Sequence, residues 1–203
     1  MKQKNYPKNM GINRRLITAT LGFFLFIFIF FGFLRITSSL KSEETWFYFN
    51  QTESLPVGIY MKIPQFVLDL QGKTPTVQKG DYVAFLPNEK TLKLAKERKY
   101  IEENMVFLKK VGGIEGHIWS IEKTDSEDSE YSFYLNFAYY GKVFTEDKYG
   151  RTMPIQTGTF MVGKGFFLPV GEAERSFDGR YTGTVKLSNI KAIVTPVFTG
   201  LHW

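Results

Sequence analysis

The stretch Met105–Gly113, MVFLKKVGG, places two adjacent lysines inside an otherwise apolar segment. Side chains of a β strand alternate between its two faces, so Lys109 and Lys110 point to opposite sides. At least one ammonium group therefore emerges among apolar side chains, where the loss of solvent lowers the pKa of a lysine. A lysine that reaches solvent at a sheet edge is the other interpretation, and the segment alone leaves both open.

Similar short segments flank this one, rich in aromatic and β-branched residues and separated by turn residues, and they predict a mainly β domain. Their sequences are TWFYF (45–49), VGIYMKI (57–63), DYVAFL (81–86), HIWSIE (117–122), YSFYLNF (131–137), KVFTE (142–146), TFMVGKGFFLPV (159–170) and KAIVTPVF (191–198). Between two of them, Glu89–Glu103, EKTLKLAKERKYIEE, is rich in good helix formers and predicts a connecting helix. The acidic stretch EKTDSEDSE, residues 122–130, predicts a hairpin loop.

An uncharged apolar run, Leu16–Leu34, LITATLGFFLFIFIFFGFL, precedes all of these segments. At a rise of about 1.5 Å per residue, its roughly 19 residues span a hydrocarbon core about 30 Å thick, so the run predicts a transmembrane helix. A cleaved signal peptide is the alternative. Its apolar region is usually only about 7 to 15 residues long and ends at a small-x-small site, which this run lacks before Arg35.

The charges that flank the run predict its orientation. Cations precede it without any acidic residue, which places the N-terminus in the cytoplasm; they are Lys2, Lys4, Lys8, Arg14 and Arg15. The sequence therefore predicts a cytoplasmic basic tail over residues 1–15, a membrane anchor over residues 16–34 and a periplasmic or extracytoplasmic β domain over residues 35–203. We expect a single-pass protein of the inner, or cytoplasmic, membrane, with membrane lipid as one partner.

The composition excludes several kinds of chemistry. The 203 residues include no cysteine, which excludes disulfides, thiolate metal sites and cysteine nucleophiles. The two histidines, His117 and His202, are too few for a zinc site, and we expect neither a metal nor any other cofactor. Most of the net charge of +6 comes from the tail before the apolar run, so we expect no nucleic-acid partner.

A serine that precedes a turn is the first candidate for chemistry. Ser54 begins the stretch SLPVGIY, residues 54–60. Pro56 favours an extended conformation at Leu55 and Gly58 permits a sharp change of direction, so the Ser54 hydroxyl can be presented at the mouth of a groove. A serine hydroxyl needs a neighbouring base to act as a nucleophile, and with histidine so scarce the candidate is a lysine whose pKa burial has lowered to about 7 to 8.

A third polar segment, GEAERSFDGRYTG, spans residues 171–183 and follows an apolar strand. Its spacing allows Asp178 to pair with Arg180 on one side of an extended chain, with Ser176 on the same side. Taken alone, the pattern is also typical of a charged surface turn.

In this order, the three segments resemble the motifs of the type I signal peptidase family, and SLPVGIY resembles in particular its conjugative-transfer, TraF-type branch. The resemblance implies a signal-peptidase-like β domain after a single N-terminal transmembrane helix, and a serine peptidase with a serine and lysine dyad. It implies that Ser54 is the nucleophile, that Lys109 is the base, and that Thr52 and the Ser54 N–H form the oxyanion hole. The supporting residues that it implies are Ser176, which orients the lysine, and Asp178 and Arg180, which brace the site.

Some flanking residues depart from the family pattern. Lys110 stands where the pattern has arginine, and Glu115 and His117 stand where it has proline and aspartate. Glu172-Ala173-Glu174 replaces Asp-Asn-Arg, and this last motif is one residue shorter than the pattern. These departures leave open which of the two lysines is the base.

The resemblance implies an endopeptidase that cleaves the signal or leader sequences of exported precursor proteins, with a pilin precursor of conjugative transfer as the expected substrate. Whether the product is linear or cyclised stays open. Two alternatives remain: a non-catalytic anchored β scaffold of a secretion or pilus assembly complex, and an enzyme in which His117 is the base. Activity against pH separates the two bases, because histidine titrates near about 6.5 and a buried lysine higher.

Overall fold

The computed structural model describes residues 23–25, 27, 45–72, 77–101, 106–126 and 129–200. The chain divides into two units, Met1–Glu44 and Thr45–Trp203, and every described strand lies in the second. Within the described residues, no helix has the length and apolar character needed to cross a membrane. The predicted tail and anchor lie outside the described residues, except for residues 23–25 and 27, which are helical.

The second unit is built mainly from antiparallel strands, which confirms the prediction of a mainly β domain. The described strands are β1 (Phe47–Asn50), β2 (Gly58–Lys62), β3 (Tyr82–Phe85), β4 (Phe107–Gly113), β5 (Ile118–Ser126), β6 (Ser129–Leu135), β7 (Ala138–Val143), β8 (Gly158–Met161), β9 (Phe166–Val170), β10 (Val185–Lys186) and β11 (Ile190–Thr199). Within the described part of this unit, three short helices connect the strands: α1 (Gln65–Leu70), α2 (Glu89–Glu97) and α3 (Gly179–Thr182). A 3₁₀ turn, Leu187–Asn189, precedes β11.

The strands form two sheets. The larger has the order β1-β2-β11-β3-β4-β9-β10, and the smaller has the order β7-β6-β5-β8. β4 pairs with β3 on one side and β9 on the other, so it lies in the interior of the larger sheet. This interior position buries both of its faces except around Lys110.

Buried apolar side chains cover both faces of β4. One face packs into the cluster of Val83, Phe85, Phe107, Val111 and Phe167, and the other into the cluster of Tyr60, Ala84, Leu108 and Val194. Because Phe107 and Leu108 belong to different clusters, the period-two alternation predicted for β4 is confirmed. Lys109 thus shares a face with Phe107, and Lys110 shares a face with Leu108.

The connecting helix is shorter than predicted. Asn88 caps its start by accepting a hydrogen bond from the Thr91 N–H at 2.8 Å, but it ends at Glu97. Lys99 then takes a left-handed conformation with φ of 55°, and Arg98 donates from Nη2 to the Thr152 carbonyl oxygen at 2.7 Å. The prediction of helix over residues 98–101 is therefore wrong, because tertiary contacts hold this segment in another conformation; residues 102–103 lie outside the described residues.

Two further predictions about segments are corrected. The single segment TFMVGKGFFLPV contains two strands, β8 and β9, that belong to different sheets and are separated by a turn in which Gly165 has φ of 79°. The acidic stretch over residues 122–130 lies mainly within β5 and β6 rather than in a loop, with residues 127–128 outside the described part. Alternation identifies a strand, but it does not identify the sheet to which the strand belongs.

Candidate active site

Ser54 lies in the connection between β1 and β2, where it is 8% exposed. Asn50, the last residue of β1, holds this connection: its Nδ2 donates to the carbonyl oxygens of Thr52 at 2.8 Å and Leu55 at 2.9 Å. Thr52 Oγ1 donates to Asn50 Oδ1 at 3.0 Å and lies 2.8 Å from Ser54 Oγ. Because the single hydroxyl proton of Thr52 goes to Asn50, the Ser54 hydroxyl is the donor to Thr52.

The backbone of Ser54 is held on its carbonyl side only. Its carbonyl oxygen accepts from the Glu172 N–H at 2.7 Å, whereas no described residue accepts its N–H. Gly171 makes this approach possible, because a Cβ at that position would lie 2.9 Å from the Ser54 carbonyl oxygen and 1.9 Å from Ser176 Oγ. Only glycine therefore fits between the two serines.

Lys109 is buried on β4, with 5% of the residue exposed. Its Nζ donates to Ser176 Oγ at 3.1 Å. Burial lowers the pKa of Lys109 from 10.5 to about 8, since it strips solvent from the ammonium group. The negative charge of Asp178 opposes this lowering of the pKa, and the positive charge of Arg180 adds to it.

Lys110 lies on the other face of β4, in a different environment. Its side chain is 37% exposed and pairs with Glu172, with Nζ 3.2 Å from Oε1. The same Nζ lies 5.5 Å above the ring of Tyr82. Of the two neighbouring lysines, the desolvated one is thus Lys109.

Asp178 and Arg180 form a buried ion pair behind the two serines, and they are 1% and 2% exposed. Arg180 donates from Nε to Asp178 Oδ1 at 2.9 Å and from Nη2 to Oδ2 at 2.8 Å. The same carboxylate accepts from the Gly171 N–H at 2.7 Å, and Arg180 also donates to the carbonyl oxygens of Ala173 and Glu174. The pair therefore fixes the path of the segment between Gly171 and Ser176.

The pairing of Asp178 with Arg180 agrees with the sequence prediction, but the backbone does not. Asp178 is the N-cap of α3, and its Oδ1 accepts from the Arg180 N–H at 3.1 Å. The prediction of an extended chain is wrong here because aspartate before glycine caps a helix well.

The candidate groups meet at a cleft with a volume of about 850 Å³. Thr52, Ser54, Lys109 and Ser176 line it, whereas Asp178 and Arg180 are not among its lining residues. Ser54 and Lys109 face the same cleft without a hydrogen bond between them, since the Ser54 hydroxyl donates to Thr52 and Lys109 donates to Ser176. Apolar side chains form part of the remaining wall: Phe49, Val106, Leu108, Phe144, Met153 and Phe177.

The alternative base, His117, lies elsewhere. Its Nδ1 is 3.0 Å from the Ile114 carbonyl oxygen in the turn between β4 and β5. Among the described residues that line the cleft there is no histidine. In the described parts of the chain, His, Asp and Glu side chains do not gather in groups of three that could hold a metal ion.

Sequence reasoning missed two residues that shape the site. Asn50 organises the Ser54 connection, and the signal for it is a polar residue at a buried position of an alternating aromatic strand. Glu172 was noted only as a departure from the family pattern, although its N–H holds the carbonyl group of Ser54.

Comparison with known proteins gives one family match. The family model described as "Signal peptidase, peptidase S26" matches residues 14–199, which is most of the chain. Two curated proteins of Escherichia coli, each named plasmid transfer protein TraF, are 28% and 29% identical to this chain over 159 residues. Each alignment covers 74% of this chain and 81% of the relative.

Among the solved structures similar to this chain is that of a signal peptidase I from Enterococcus faecalis V583. It shares 18% sequence identity with this chain at a TM-score of 0.34, and the match covers 59% of this chain and 97% of that one.

Proposed function

Because the chain belongs to the signal peptidase family, peptidase S26, we propose that it is a membrane-anchored serine endopeptidase that uses Ser54 as nucleophile and Lys109 as base. Family membership supports a leader-peptidase type of function, and similarity to the TraF proteins supports the TraF-type branch. The observation that carries the proposal is a desolvated lysine with a pKa of about 8 that faces the same cleft as Ser54. A lysine with this pKa is partly neutral near pH 8, as a general base must be.

The first step is transfer of the Ser54 proton to Lys109. Ser176 Oγ accepts one N–H of Lys109, which orients the amine and leaves its lone pair available for a second partner. The Ser54 hydroxyl now points to Thr52, so rotation about its Cα–Cβ bond has to bring it to Lys109. Catalytic hydrogen bonds often form only once substrate is bound.

Acyl transfer follows. A bond forms between Ser54 Oγ and the scissile carbonyl carbon. The negative charge on the carbonyl oxygen is held by the Ser54 N–H, for which the described residues offer no acceptor, and by the Thr52 hydroxyl after it turns from Asn50. Lys109 passes its proton to the leaving nitrogen, the C–N bond breaks, and an ester to Ser54 remains. Attack by water gives a linear product and attack by the substrate's own amine gives a cyclised one; in both cases Lys109 accepts the proton and returns it to Ser54.

The proposed substrate is an exported precursor with a small-residue cleavage site after an apolar segment, and its backbone adds to a strand edge in extended form. A pilin precursor is the specific candidate, since two relatives are named plasmid transfer proteins. The apolar wall of the cleft is suited to small uncharged side chains on either side of the scissile bond. No nucleic acid takes part in this reaction.

Besides its substrate, the proposed partner is membrane lipid. In this proposal the anchor at residues 16–34 lies in the inner membrane, the N-terminus lies in the cytoplasm and the β domain lies in the periplasm. An apolar face supports it: Phe47 and Phe49 of β1 are 52% and 63% exposed, and Phe198 of β11 is 58% exposed. Phe49 and Phe198 both lie directly opposite Ile59 of β2, so these side chains share one face of the sheet.

The length of the connecting sequence limits how far this apolar face can lie from the proposed anchor. Residues 35–46 connect Leu34 to Phe47, and a fully extended chain of that length reaches only about 45 Å. Phe49 also lines the cleft, so lipid contact on this face brings the cleft to the membrane surface. Protease added to intact spheroplasts digests the β domain if this orientation is right, and protection of the domain contradicts it.

The reaction is tested with the full chain in detergent and a synthetic precursor that carries a small-x-small site after an apolar segment. Ser54→Ala and Lys109→Ala each lower the cleavage rate by about a thousandfold or more, because each removes a group that the chemical step needs. Lys93→Ala is the control, since Lys93 lies on α2 with its side chain 78% exposed. Product masses separate the two outcomes of the second step, because a cyclised product is lighter than the linear one by one water.

Processing by either variant at the wild-type rate would make this mechanism wrong. It would favour the non-catalytic scaffold instead, in which Ser54→Ala leaves pilus assembly intact.

A further inference from the structure

Two segments, residues 98–101 and 144–153, contribute to the wall of the cleft together with Arg175, and they are called the basic wall below. The basic wall has a net charge of +3, from five cations and two acidic residues. Glu53, next to the proposed nucleophile, lines the same cleft. The charged residues of the basic wall are Arg98, Lys99, Lys148, Arg151 and Arg175 against Glu146 and Asp147.

Asp147 holds the basic wall together from the inside, with its side chain 7% exposed. Its carboxylate accepts from the Tyr149 N–H at 2.9 Å, from Arg151 Nε at 2.7 Å and from the Tyr100 hydroxyl, and it lies 3.9 Å from Arg98 Nη1. Two arginines therefore compensate the Asp147 charge within the wall. The wall is formed without a ligand, and Asp147 does not neutralise the cations that face the cleft.

Three cations of the basic wall are exposed and line the cleft: Lys99, Lys148 and Arg175. Among the described residues, none of the three pairs with a carboxylate. The Arg175 guanidinium lies 3.9 Å from the centre of the Phe144 ring, and its Nη1 donates to the Glu146 carbonyl oxygen at 3.4 Å. Stacking on an aromatic ring holds the guanidinium plane and leaves its edge available for a carboxylate.

The basic wall lies close to the groups of the proposed reaction. Arg175 directly precedes Ser176, whose hydroxyl accepts from Lys109, and consecutive Cα atoms are only about 3.8 Å apart. The ring of the next residue, Phe177, packs against Tyr100 of the basic wall at 5.0 Å. An extended peptide advances about 3.3 Å per residue, so a substrate side chain that reaches Arg175 belongs within about five residues of the scissile bond.

We propose that the basic wall binds an acidic side chain of the precursor, close to the scissile bond, and that Lys148 and Arg175 thereby determine substrate specificity; this inference rests on the proposed function. A carboxylate is the group that the planar fork of arginine bonds in pairs. The position of these cations favours a substrate side chain over a lipid headgroup, because they line the cleft that contains Ser54. The exposed aromatic residues Phe47 and Phe198 are not among its lining residues.

The binding energy from such a contact is small and depends on salt. Exposed ion pairs are weak, so glutamate in place of glutamine should raise kcat/KM by about fivefold and not by orders of magnitude. The Debye length falls from about 10 Å at 0.1 M salt to about 3 Å at 1 M. The preference for the acidic side chain should therefore decrease to less than about twofold in 1 M NaCl.

The experiment uses the full chain in detergent and a set of synthetic precursors that differ at one position. A single glutamate is moved through five positions on each side of the scissile bond, and each peptide is compared with glutamine at the same position. We expect a preference of about fivefold at one or two neighbouring positions and a ratio near one elsewhere. The ratio compares two substrates of the same enzyme sample, so it does not depend on the fraction of enzyme that is folded.

Charge reversal identifies the residues that are responsible. The double variant Lys148→Glu with Arg175→Glu should reverse the preference, so that lysine at the selected position is cleaved faster than glutamate by about fivefold. Lys164→Glu is the matched control, because Lys164 is an exposed lysine between β8 and β9 that is not among the lining residues. It should keep the wild-type preference for glutamate.

The proposal is overturned if no position shows a preference above about twofold, or if the preference survives the double reversal. It is also overturned if the double variant loses affinity for phosphatidylglycerol vesicles while its peptide preference stays that of wild type, since the cations then bind lipid. If the wild type cleaves none of the peptides, their affinities, measured by fluorescence anisotropy, give the same comparison.

Failure of the proposed mechanism has a different signature. In that case Ser54→Ala itself cleaves the precursor, and the ratio between the glutamate and glutamine peptides still reports on the basic wall.

Discussion

The two faces of β4 carry neighbouring lysines in opposite surroundings. Lys109 is 5% exposed and has a pKa lowered to about 8, whereas the side chain of Lys110 is 37% exposed and pairs with a carboxylate. The side chains are chemically identical and one residue apart. The comparison teaches that the face of the sheet, and not the residue type, decides which amine is suited to accept a proton.

The two faces also differ in how their charges are supported. Behind Lys109, the buried pair of Asp178 and Arg180 makes several hydrogen bonds with each other and with the chain. Beside Lys110, the pair with Glu172 is open to solvent on one side. Breaking the buried pair should therefore lower the free energy of unfolding strongly, whereas breaking the exposed pair should lower it only slightly.

Asp178→Asn gives the largest expected effect. It leaves Arg180 buried without a counter-charge, so the free energy of unfolding at pH 7 falls by about 3 to 5 kcal/mol in urea denaturation. On the other face, Lys110→Met lowers it by at most about 1 kcal/mol. Equal losses from the two variants would remove the contrast between the faces.

Lys109→Met is the next largest effect and has the opposite sign. The folded protein keeps a lysine whose pKa is lowered from 10.5 to about 8, which costs about 3 kcal/mol at pH 7 because each pKa unit corresponds to about 1.4 kcal/mol. Methionine removes this cost, but it also removes the hydrogen bond to Ser176, worth about 1 kcal/mol. The inactive variant is therefore more stable than wild type by about 2 kcal/mol.

The pH dependence of this gain in stability tests whether the desolvation of Lys109 causes it. Between pH 8 and 10.5 the unfolded lysine still binds a proton that the folded one has lost, so wild-type stability rises with pH across this window. The advantage of Lys109→Met is thus complete below pH 8 and fades toward pH 10.5. Urea denaturation at both ends measures it, and a variant less stable than wild type at pH 7 contradicts the desolvation of Lys109.

Local sequence signals were sufficient to predict the parts of the molecule that depend on local geometry. The alternation along β4 placed Lys109 and Lys110 on opposite faces without choosing between them, and the proline turn singled out Ser54, because strand period and turn chemistry act over a few residues. Only the family resemblance named Lys109 as the base. The predicted end of the connecting helix was wrong, because Arg98 bonds to Thr152, which lies 54 residues away in the sequence.

Local sequence signals did not predict the contacts that connect the site to the sheet. Tyr82 and Glu172 meet across 90 residues, and Lys110 and Glu172 across 62, through the pairing register of strands that adjacent residues do not specify. The same limit explains why Glu172 registered only as a departure from a motif.

The dependence of the cleavage rate on pH distinguishes Lys109 from the other candidate bases. The base acts when neutral, and the neutral fraction of a group with a pKa of about 8 falls about tenfold for each pH unit below that value. The kcat/KM of the full chain should therefore rise through pH 6 to 8 and level off above. His117→Ala should leave the curve unchanged, because His117 bonds in the turn after β4.

The Asp178→Asn variant provides a second test based on the same pH profile. The Asp178 charge raises the pKa of Lys109 against the stronger effect of burial, so removing it moves the midpoint of the curve to lower pH. Lys110→Met removes a charge from the other face and leaves the midpoint in place, because the charges that act on Lys109 are those of Asp178 and Arg180. A midpoint near about 6.5 in the wild type, which is the value for histidine, would show that the buried face of β4 does not supply the base.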